Sequence, residues 1–256
     1  MLLAIDIGNT NITLGIFQNG TLKTRWRIAT SIHRLSDEYA TLLLALLETE
    51  SISRSSVTEA VLCSVVPPLT TTFTEMCSRY FTVEPLVVEA GVKTGVSIVM
   101  DNPHEVGTDR VVNAAGANHL YGGPVIIIDF GTATTLDVVS DKGEYLGGVI
   151  APGVTLGAEA LFTRTAALPR VEIVRPKRVI GKNTVGAMQS GIIFGYVGLV
   201  DGLVGRIQEE LGKKAKVIAT GGLASIISKE TSIIQTVEPD LTLIGLRIIY
   251  EMNRRA

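Results

Sequence analysis

Residues 2–17 read LLAIDIGNTNITLGIF, and residues 125–139 read VIIIDFGTATTLDVV. In each stretch a run of branched apolar residues ends at Asp-x-Gly. Small hydroxyl or amide residues follow, then a second apolar run and a turn, Asn19-Gly20 in one copy and Lys142-Gly143 in the other. Asn-Gly between apolar runs is a strong hairpin signal, and Lys-Gly a weaker one. Asp6 and Asp129 stand 123 residues apart in a chain of 256, close to half its length. A single Asp-x-Gly is an ordinary turn. Two, each between apolar runs, mark a duplication. The chain is therefore expected to form two similar halves, residues 1–118 and 119–256, each opening with a β-hairpin bent at Asp-x-Gly.

The remaining segments fill in an alternating α/β pattern. Ser36–Glu48 places Tyr39, Leu42, Leu43, Leu46 and Leu47 at helical spacing, with Ser36 as the cap. Val61–Val66 reads as a buried strand closed by Pro67-Pro68, Leu69–Phe81 as a helix, Pro85–Glu89 as a strand and Arg110–His119 as a helix. Thr184–Leu211 carries glycines at 186, 191, 195, 198, 202 and 205, which reads as a helix or helix pair packed closely on a neighbour. Val217–Thr220 is a strand ending in Gly221-Gly222, and Leu241–Asn253 a closing helix. Strands alternating with helices in two similar halves imply an α/β protein with a cleft between the halves.

Composition narrows the function classes. The chain is 46% apolar with 19% charged residues, enough to bury a core, and its net charge is −2. No global basic field recruits nucleic acid or an anionic membrane. The basic run Arg164, Arg170, Arg175, Lys177, Arg178 and Lys182 has no aromatic residue interleaved for stacking, so it reads as a solvated loop. Two cysteines, Cys63 and Cys77, make no disulfide framework, and the three histidines lack metal-ligand spacing. A carboxylate at position 6 comes too early for a signal peptide. The most apolar stretch, Gln189–Gly205, is broken by Asp201 and five glycines. The expectation is a soluble cytoplasmic protein with no nucleic-acid or membrane partner.

Neither G-x-x-x-x-G-K-[ST] nor G-x-G-x-x-G is present, so nucleotide binding would need another design. Asp6 to Asn11 offers one. A glycine and short polar residues at a hairpin bend aim N–H groups and hydroxyls at phosphate oxygens. The carboxylate cannot face a bare phosphate cheaply, so Asp6 is expected to act through Mg²⁺ or an ordered water. The second copy adds the hydroxyls of Thr132, Thr134 and Thr135. A third element, Asn102-Pro-His-Glu-Val-Gly-Thr-Asp-Arg110, sets Asp109 and Arg110 at a helix start beside Gly107. A carboxylate there can accept a proton, and the guanidinium can grip an anionic group. Taken alone, it is a helix cap followed by a solvated arginine.

Together these segments resemble the phosphate-binding motifs of the actin-like and sugar-kinase ATPase superfamily, with its ribonuclease H-like halves. Within it, the set is similar to the type III pantothenate kinases: DIGNTN, NPHEVGTDR, DFGTATT, LGGVIAPG (146–153), AALPRV (166–171), GKNT (181–184) and TGGLA (220–224), in order along essentially the whole chain. The resemblance implies ATP-dependent phosphorylation of pantothenate to 4'-phosphopantothenate, the first step toward coenzyme A. It implies that Asp6, Ile7, Gly8, Asn9, Thr10, Asn11, Ile12 and Thr13 form the first ATP segment, with Thr132 on ATP and Gly221 and Gly222 near the adenosine. Gly107, Thr108, Asp109 and Arg110 would line the pantothenate site, Asp109 as proton acceptor, with Thr184 a further pantothenate contact. Asp129 would hold a monovalent cation, potassium or ammonium. Family members are usually homodimers.

One position departs from the family pattern. Where members often carry a tyrosine lining the pantothenate pocket, this chain has Met100, which keeps volume and loses the hydroxyl and the rigid ring. Two rival readings use the same hairpins: another small-molecule kinase of the superfamily, or a nucleotide-binding regulatory or accessory protein on the same fold. The first is not expected to keep both the GTDR segment and GGVIAPG. The second has no need of an orienting carboxylate at Asp109.

Overall fold

The computed structural model describes residues 1–254, and it carries two sheets whose strands are laid down in the same pattern. The first apolar run is β1 (Leu2–Ile7), paired antiparallel with β2 (Asn11–Gln18) so that Asp6 lies opposite Thr13. At the bend the Gly8 N–H donates to the Asn11 carbonyl at 3.1 Å, and a Cβ on residue 8 would come within 2.9 Å of that oxygen. Only glycine fits there. Asn19 and Gly20, both at positive φ (51° and 78°), turn the chain into β3 (Thr21–Ala29). Then come α1 (Ser36–Thr49), β4 (Glu59–Ser64), α2 (Pro67–Met76) and β5 (Leu86–Val87), giving the sheet order β3-β2-β1-β4-β5 with β4 parallel to β1.

After β6 (Ser97–Ile98) and α3 (Thr108–Tyr121), the pattern recurs. β7 (Val125–Phe130), β8 (Ala133–Val139) and β9 (Glu144–Pro152) form an antiparallel meander. Helices α4 (Val154–Thr163) and α5 (Thr184–Leu211) lead to β10 (Lys216–Gly221), which runs parallel to β7. Then α6 (Ala224–Ile227), β11 (Thr236–Val237) and α7 (Leu241–Arg254) close the chain. The order β9-β8-β7-β10-β11 repeats that of the first sheet, with β6 added at its edge. Even the register irregularity recurs, at Ile16/Phe17 in β2 and Val138/Val139 in β8.

Period-two alternation decides which side of the first sheet each residue serves. Leu3, Ile5 and Ile7 of β1 join Tyr39, Leu43, Leu69 and Phe73 from α1 and α2, whereas Leu2 and Ala4 join Val112 and Ala115 of α3 and Leu243, Leu246 and Ile249 of α7. Each fully buried leucine, isoleucine or valine here contributes about 1.5–3 kcal/mol. In the second sheet Ile126, Ile128 and Ala219 pack with Ile192, Ile193, Val200 and Val204 of α5.

The chain divides into two compact units. The first holds Met1–Ser97, Asp101–Leu120 and the closing segment from Asp240; the second holds Ile98–Met100 and Tyr121–Pro239. The division expected from sequence, 1–118 and 119–256, lies close to the crossing at Leu120 but assigns the closing helix to the wrong unit. α7 lies on the first sheet because Gly116 of α3 and Gly245 of α7 let the two helices touch. A Cβ on Gly245 would strike the Val112 carbonyl, and Thr242 Oγ1 donates to buried Asn113 Oδ1 at 2.7 Å.

Smaller expectations shift for local reasons. Leu35, not Ser36, occupies the cap position of α1, and its N–H donates to Glu38 at 2.9 Å. Pro67-Pro68 do not merely close β4; they open α2, where the missing N–H of proline costs nothing. The predicted helix Leu69–Phe81 ends at Met76 and runs on as a π turn, Cys77–Phe81, to Thr82 at φ 58°. The predicted strand Pro85–Glu89 shrinks to Leu86–Val87. Thr184–Leu211 is one helix of 28 residues, long and apolar enough to cross a membrane by length and composition. Its glycines at 191, 195, 198, 202 and 205 meet nothing in this chain within 4 Å of a Cβ position, so they serve no close packing within the chain.

Candidate active site

In the first unit, three chain segments bring their polar groups together. The bend after β1 is latched by the end of β3: Thr30 Oγ1 donates to the Gly8 carbonyl at 2.7 Å and Thr30 N–H to the Thr10 carbonyl at 3.1 Å. Asn9 and Thr10 are exposed at the tip, Asn11 and Thr13 half-buried. Ile7 and Ile12 are fully buried, so of the eight residues assigned to the first ATP segment these two offer only main chain.

The second segment is the start of α3. The Gly107 carbonyl accepts from Arg110 N–H and Val111 N–H at 3.1 and 3.2 Å, and Thr108 Oγ1 donates to the Ser64 carbonyl at the end of β4 at 3.0 Å. Asp109 is not the cap of this helix; it sits within the first turn, where its Oδ1 accepts the Arg110 N–H at 2.8 Å. A Cβ on Gly107 would come within 2.6 Å of that Oδ1, so glycine is needed there. Burial pushes the Asp109 carboxyl above the ordinary aspartate range, against the opposing pull of the Arg110 N–H and guanidinium.

The third segment is β4, which supplies a buried thiol. Cys63 stands in register with Asp6, fully buried, and its Sγ donates to Asp6 Oδ1 at 3.4 Å. Burial first, then the charges of Asp6 and Asp109, hold this thiol well above its usual range, so it stays a neutral S–H. The first unit thus gathers two carboxylates around one neutral donor.

The second unit builds its own constellation. Asp129 is half-buried near the end of β7 with Thr135 opposite it on β8, and Thr132 is exposed at the bend. Gly221, at φ 89°, leaves room for the Asp129 carboxylate: a Cβ there would come within 2.5 Å of Oδ1. Gly153, closing the GGVIAPG segment, lies against the Thr132 carbonyl, and Tyr196 Oη donates to the Pro152 and Gly153 carbonyls at 3.0 and 2.9 Å. A buried relay joins the hairpin to β9, with Thr135 Oγ1 donating to Asp137 Oδ2 at 3.2 Å and Tyr145 Oη to Asp137 Oδ1 at 2.5 Å. Met100 is half-buried beside Gly147. Gly222 is exposed. Thr184 is exposed in the first turn of α5, where Asn183 Oδ1 caps the Gly186 N–H at 2.7 Å. Asp137, Tyr145, Tyr196 and Cys63 carry no motif signal: Cys63 meets Asp6 and Tyr145 meets Asp137 across neighbouring strands, and Tyr196 reaches the Pro152 and Gly153 carbonyls from α5.

A cavity of about 310 Å³ in the first unit lies at the other end of β1, beneath Asn19-Gly20 and Arg247, and none of the motif residues lines it. Among the described residues no group of three or more His, Cys, Asp or Glu side chains is placed to hold a metal by itself.

The family model for type III pantothenate kinase matches residues 2–206. The chain belongs to the type III pantothenate kinase family. A type III pantothenate kinase of Dehalococcoides mccartyi (strain CBDB1) is 55% identical over 253 residues, 99% of this chain and 96% of that protein. Type III pantothenate kinases transfer a phosphoryl group from ATP to an alcohol of pantothenate, and the reaction uses a divalent metal. The fold has distant solved relatives. A Campylobacter jejuni protein described as of the Baf family of transcriptional activators is 17% identical, covers 99% and 100% of the two chains, and superposes with a TM-score of 0.61. An inorganic polyphosphate/ATP-glucomannokinase from Arthrobacter sp. strain KM is 14% identical over 100% and 99%, with a TM-score of 0.50. At such identities the likeness concerns the actin-like and sugar-kinase fold alone.

Proposed function

We propose that this chain phosphorylates pantothenate with Asp109 as the proton acceptor and with the two Asp-x-Gly bends as its phosphate clamps. The observation that carries the reading is the first unit's cluster. Asp109 is held rigidly by Gly107 and Arg110 N–H, and its loop is tied by Thr108 to the strand beside Asp6. Phosphoryl transfer through a loose transition state asks the protein for positioning and charge compensation more than for covalent chemistry. The substrate hydroxyl attacks the γ-phosphorus, the bond to the β-bridging oxygen breaks, and the hydroxyl proton passes to Asp109. Because that proton leaves late, orienting the hydroxyl matters as much as removing the proton. Arg110 grips the pantothenate carboxylate, with Gly107, Thr108, Met100 and Thr184 as further pantothenate contacts. Thr132, Gly221 and Gly222 serve the nucleotide.

Oxygen donors at Asp6 suit Mg²⁺, which when bound offsets charge on the β- and γ-phosphates. Asp129 suits a monovalent cation. Its carboxylate lies in the space that a side chain at Gly221 would fill, and an anionic oxygen at the bend suits potassium or ammonium.

The partner in this reading is a second copy. Gly191, Gly195, Gly198, Gly202 and Gly205 fall on one stripe of α5 and touch nothing in the chain. Each glycine costs a helix about 1 kcal/mol relative to alanine, a cost that packing outside the chain must offset. Close backbone approach by another protomer does so, and the exposed Leu156, Phe162 and Val185 add apolar area on the same unit. Operation in the cytoplasm, with no membrane or nucleic-acid partner, completes the reading. A coupled ATP-consumption assay over pantothenate, acetate and hexoses tests it. Turnover confined to pantothenate is expected, and ATP binding without turnover on any acceptor would overturn it.

A further inference from the structure

Cys63 lies where a purely structural cysteine has no reason to face charge. A buried free cysteine normally behaves as a small hydrophobe. On one side Cys63 does so, packing with Ala4, Val61 and Val112. Its S–H, however, is turned to Asp6 Oδ1 at 3.4 Å, and the next residue along β4, Ser64, accepts the Thr108 hydroxyl that anchors the Asp109 loop. Parallel pairing of β1 with β4 puts Asp6 and Cys63 side by side. One thiol therefore stands at the joint between the phosphate-clamp carboxylate and the loop of the proton acceptor.

We propose that Cys63 is a positioning residue: its S–H holds Oδ1 of Asp6, so that this carboxylate keeps one orientation toward the nucleotide. The proposal rests on the reading of Asp6 as the nucleotide-side carboxylate. The thiol reaches Asp6 Oδ1 from the strand beside it, and Ser64, next on that strand, fixes the Asp109 loop through Thr108.

The test compares variants that keep or remove the donor. Cys63→Ala is expected to raise KM for MgATP about 3- to 10-fold, the range for loss of a weak hydrogen bond to a charged group, with KM for pantothenate within about twofold. Cys63→Ser keeps a donor and is expected to restore MgATP use to near wild type, even though burying a hydroxyl lowers its Tm. A packing role gives the reverse order, with alanine unaffected in KM and serine the worse of the two, and that result overturns the proposal. The isosteric pair Cys63→Thr and Cys63→Val repeats the comparison if the alanine variant does not fold.

The wild-type S–H stretch gives a readout that needs no change at Cys63. One thiol band should move in Asp6→Asn and on MgATP binding while that of Cys77 stays; a spectrum unmoved by both also overturns the proposal. Asp6→Asn serves as the control on the underlying reading. Normal ATP use by Asp6→Asn would refute the role of Asp6 itself, whereas a defective Asp6→Asn beside an ordinary Cys63→Ala refutes only the positioning role.

Discussion

At Asp109 the cost of a buried carboxylate and its use are the same fact. Because burial raises its pKa, the folded chain holds this proton more tightly than the unfolded chain does. Its contribution to stability is therefore fully present below the ordinary aspartate range and is lost as pH rises through the raised value. At neutral pH the ionised group is a burden on the fold. Asp109→Asn should accordingly melt at or above the wild-type temperature at pH 7, an advantage that disappears in acid. Its kcat should fall about 10²- to 10⁴-fold, the usual worth of a general base, while ATP and pantothenate bind within several-fold of normal. The acid limb of the wild-type kcat/KM profile should lie above the ordinary aspartate range. A wild-type rate in Asp109→Asn would remove the residue from the mechanism. Met100 is the other single residue to test. Its side chain lies beside Gly147, which has no Cβ to crowd it, so Met100→Tyr should fold normally and lower the Kd for pantothenate by isothermal titration. Lost stability with unchanged affinity would show that Met100 is packing alone.

Among the elements, α3 and α7 approach each other closely. They cross at Gly116 and Gly245, so closely that the first atom of any side chain at 245 meets the Val112 carbonyl. Val112 stands one turn beyond Asp109, and the crossing therefore also braces the start of α3. Gly245→Ala should destabilise the protein by about 1–3 kcal/mol, the usual cost of overpacking, read as a lower urea midpoint with an unchanged slope. Because the strain falls on α3, kcat should drop in the folded fraction as well. An alanine variant as stable as wild type would mean that the two helices separate easily.

For the molecule as a whole, the duplicated topology gives each unit one carboxylate at its bend, and the proposed function asks different work of the two. Asp6 lies against a neutral thiol, while the Asp129 carboxylate lies in the space that a side chain at Gly221 would fill, and in the proposed reading Asp129 holds the monovalent cation. Activity should therefore need potassium or ammonium and fail in sodium alone, because the smaller, more strongly hydrated ion costs more to strip and fits a potassium-sized site poorly. Asp129→Ala should be nearly inactive and indifferent to potassium across a titration at constant ionic strength. Full wild-type activity in sodium-only buffer would defeat the assignment. The glycine stripe of α5 leads to the last expectation, that the active protein is a dimer. Gly198→Leu adds a large side chain where this chain places nothing. It should shift the sedimentation coefficient toward the monomer while helix content by circular dichroism is unchanged. A monomeric wild type would leave the stripe without a partner.

What the sequence determined by itself is local. Branched apolar runs of period two, a glycine where the Asn11 carbonyl leaves no room, and Asn19-Gly20 at positive φ are properties of neighbouring residues, so both hairpins and their duplication could be read directly. The motif set that places the chain among the type III pantothenate kinases is legible for the same reason. Other features were decided only by tertiary structure. Cys63 meets Asp6 across 57 residues because two parallel strands share a register, and a one-residue slip would turn the thiol to the other face. α7 joins the first sheet because two glycines far apart in the chain permit one close crossing, and no pattern within α7 announces its partner. The glycines of α5 read as close packing on a neighbour, and within this chain the fold leaves their face uncovered. Spacing shows that a helix has a smooth side, but only the packed chain shows whether anything in it lies there.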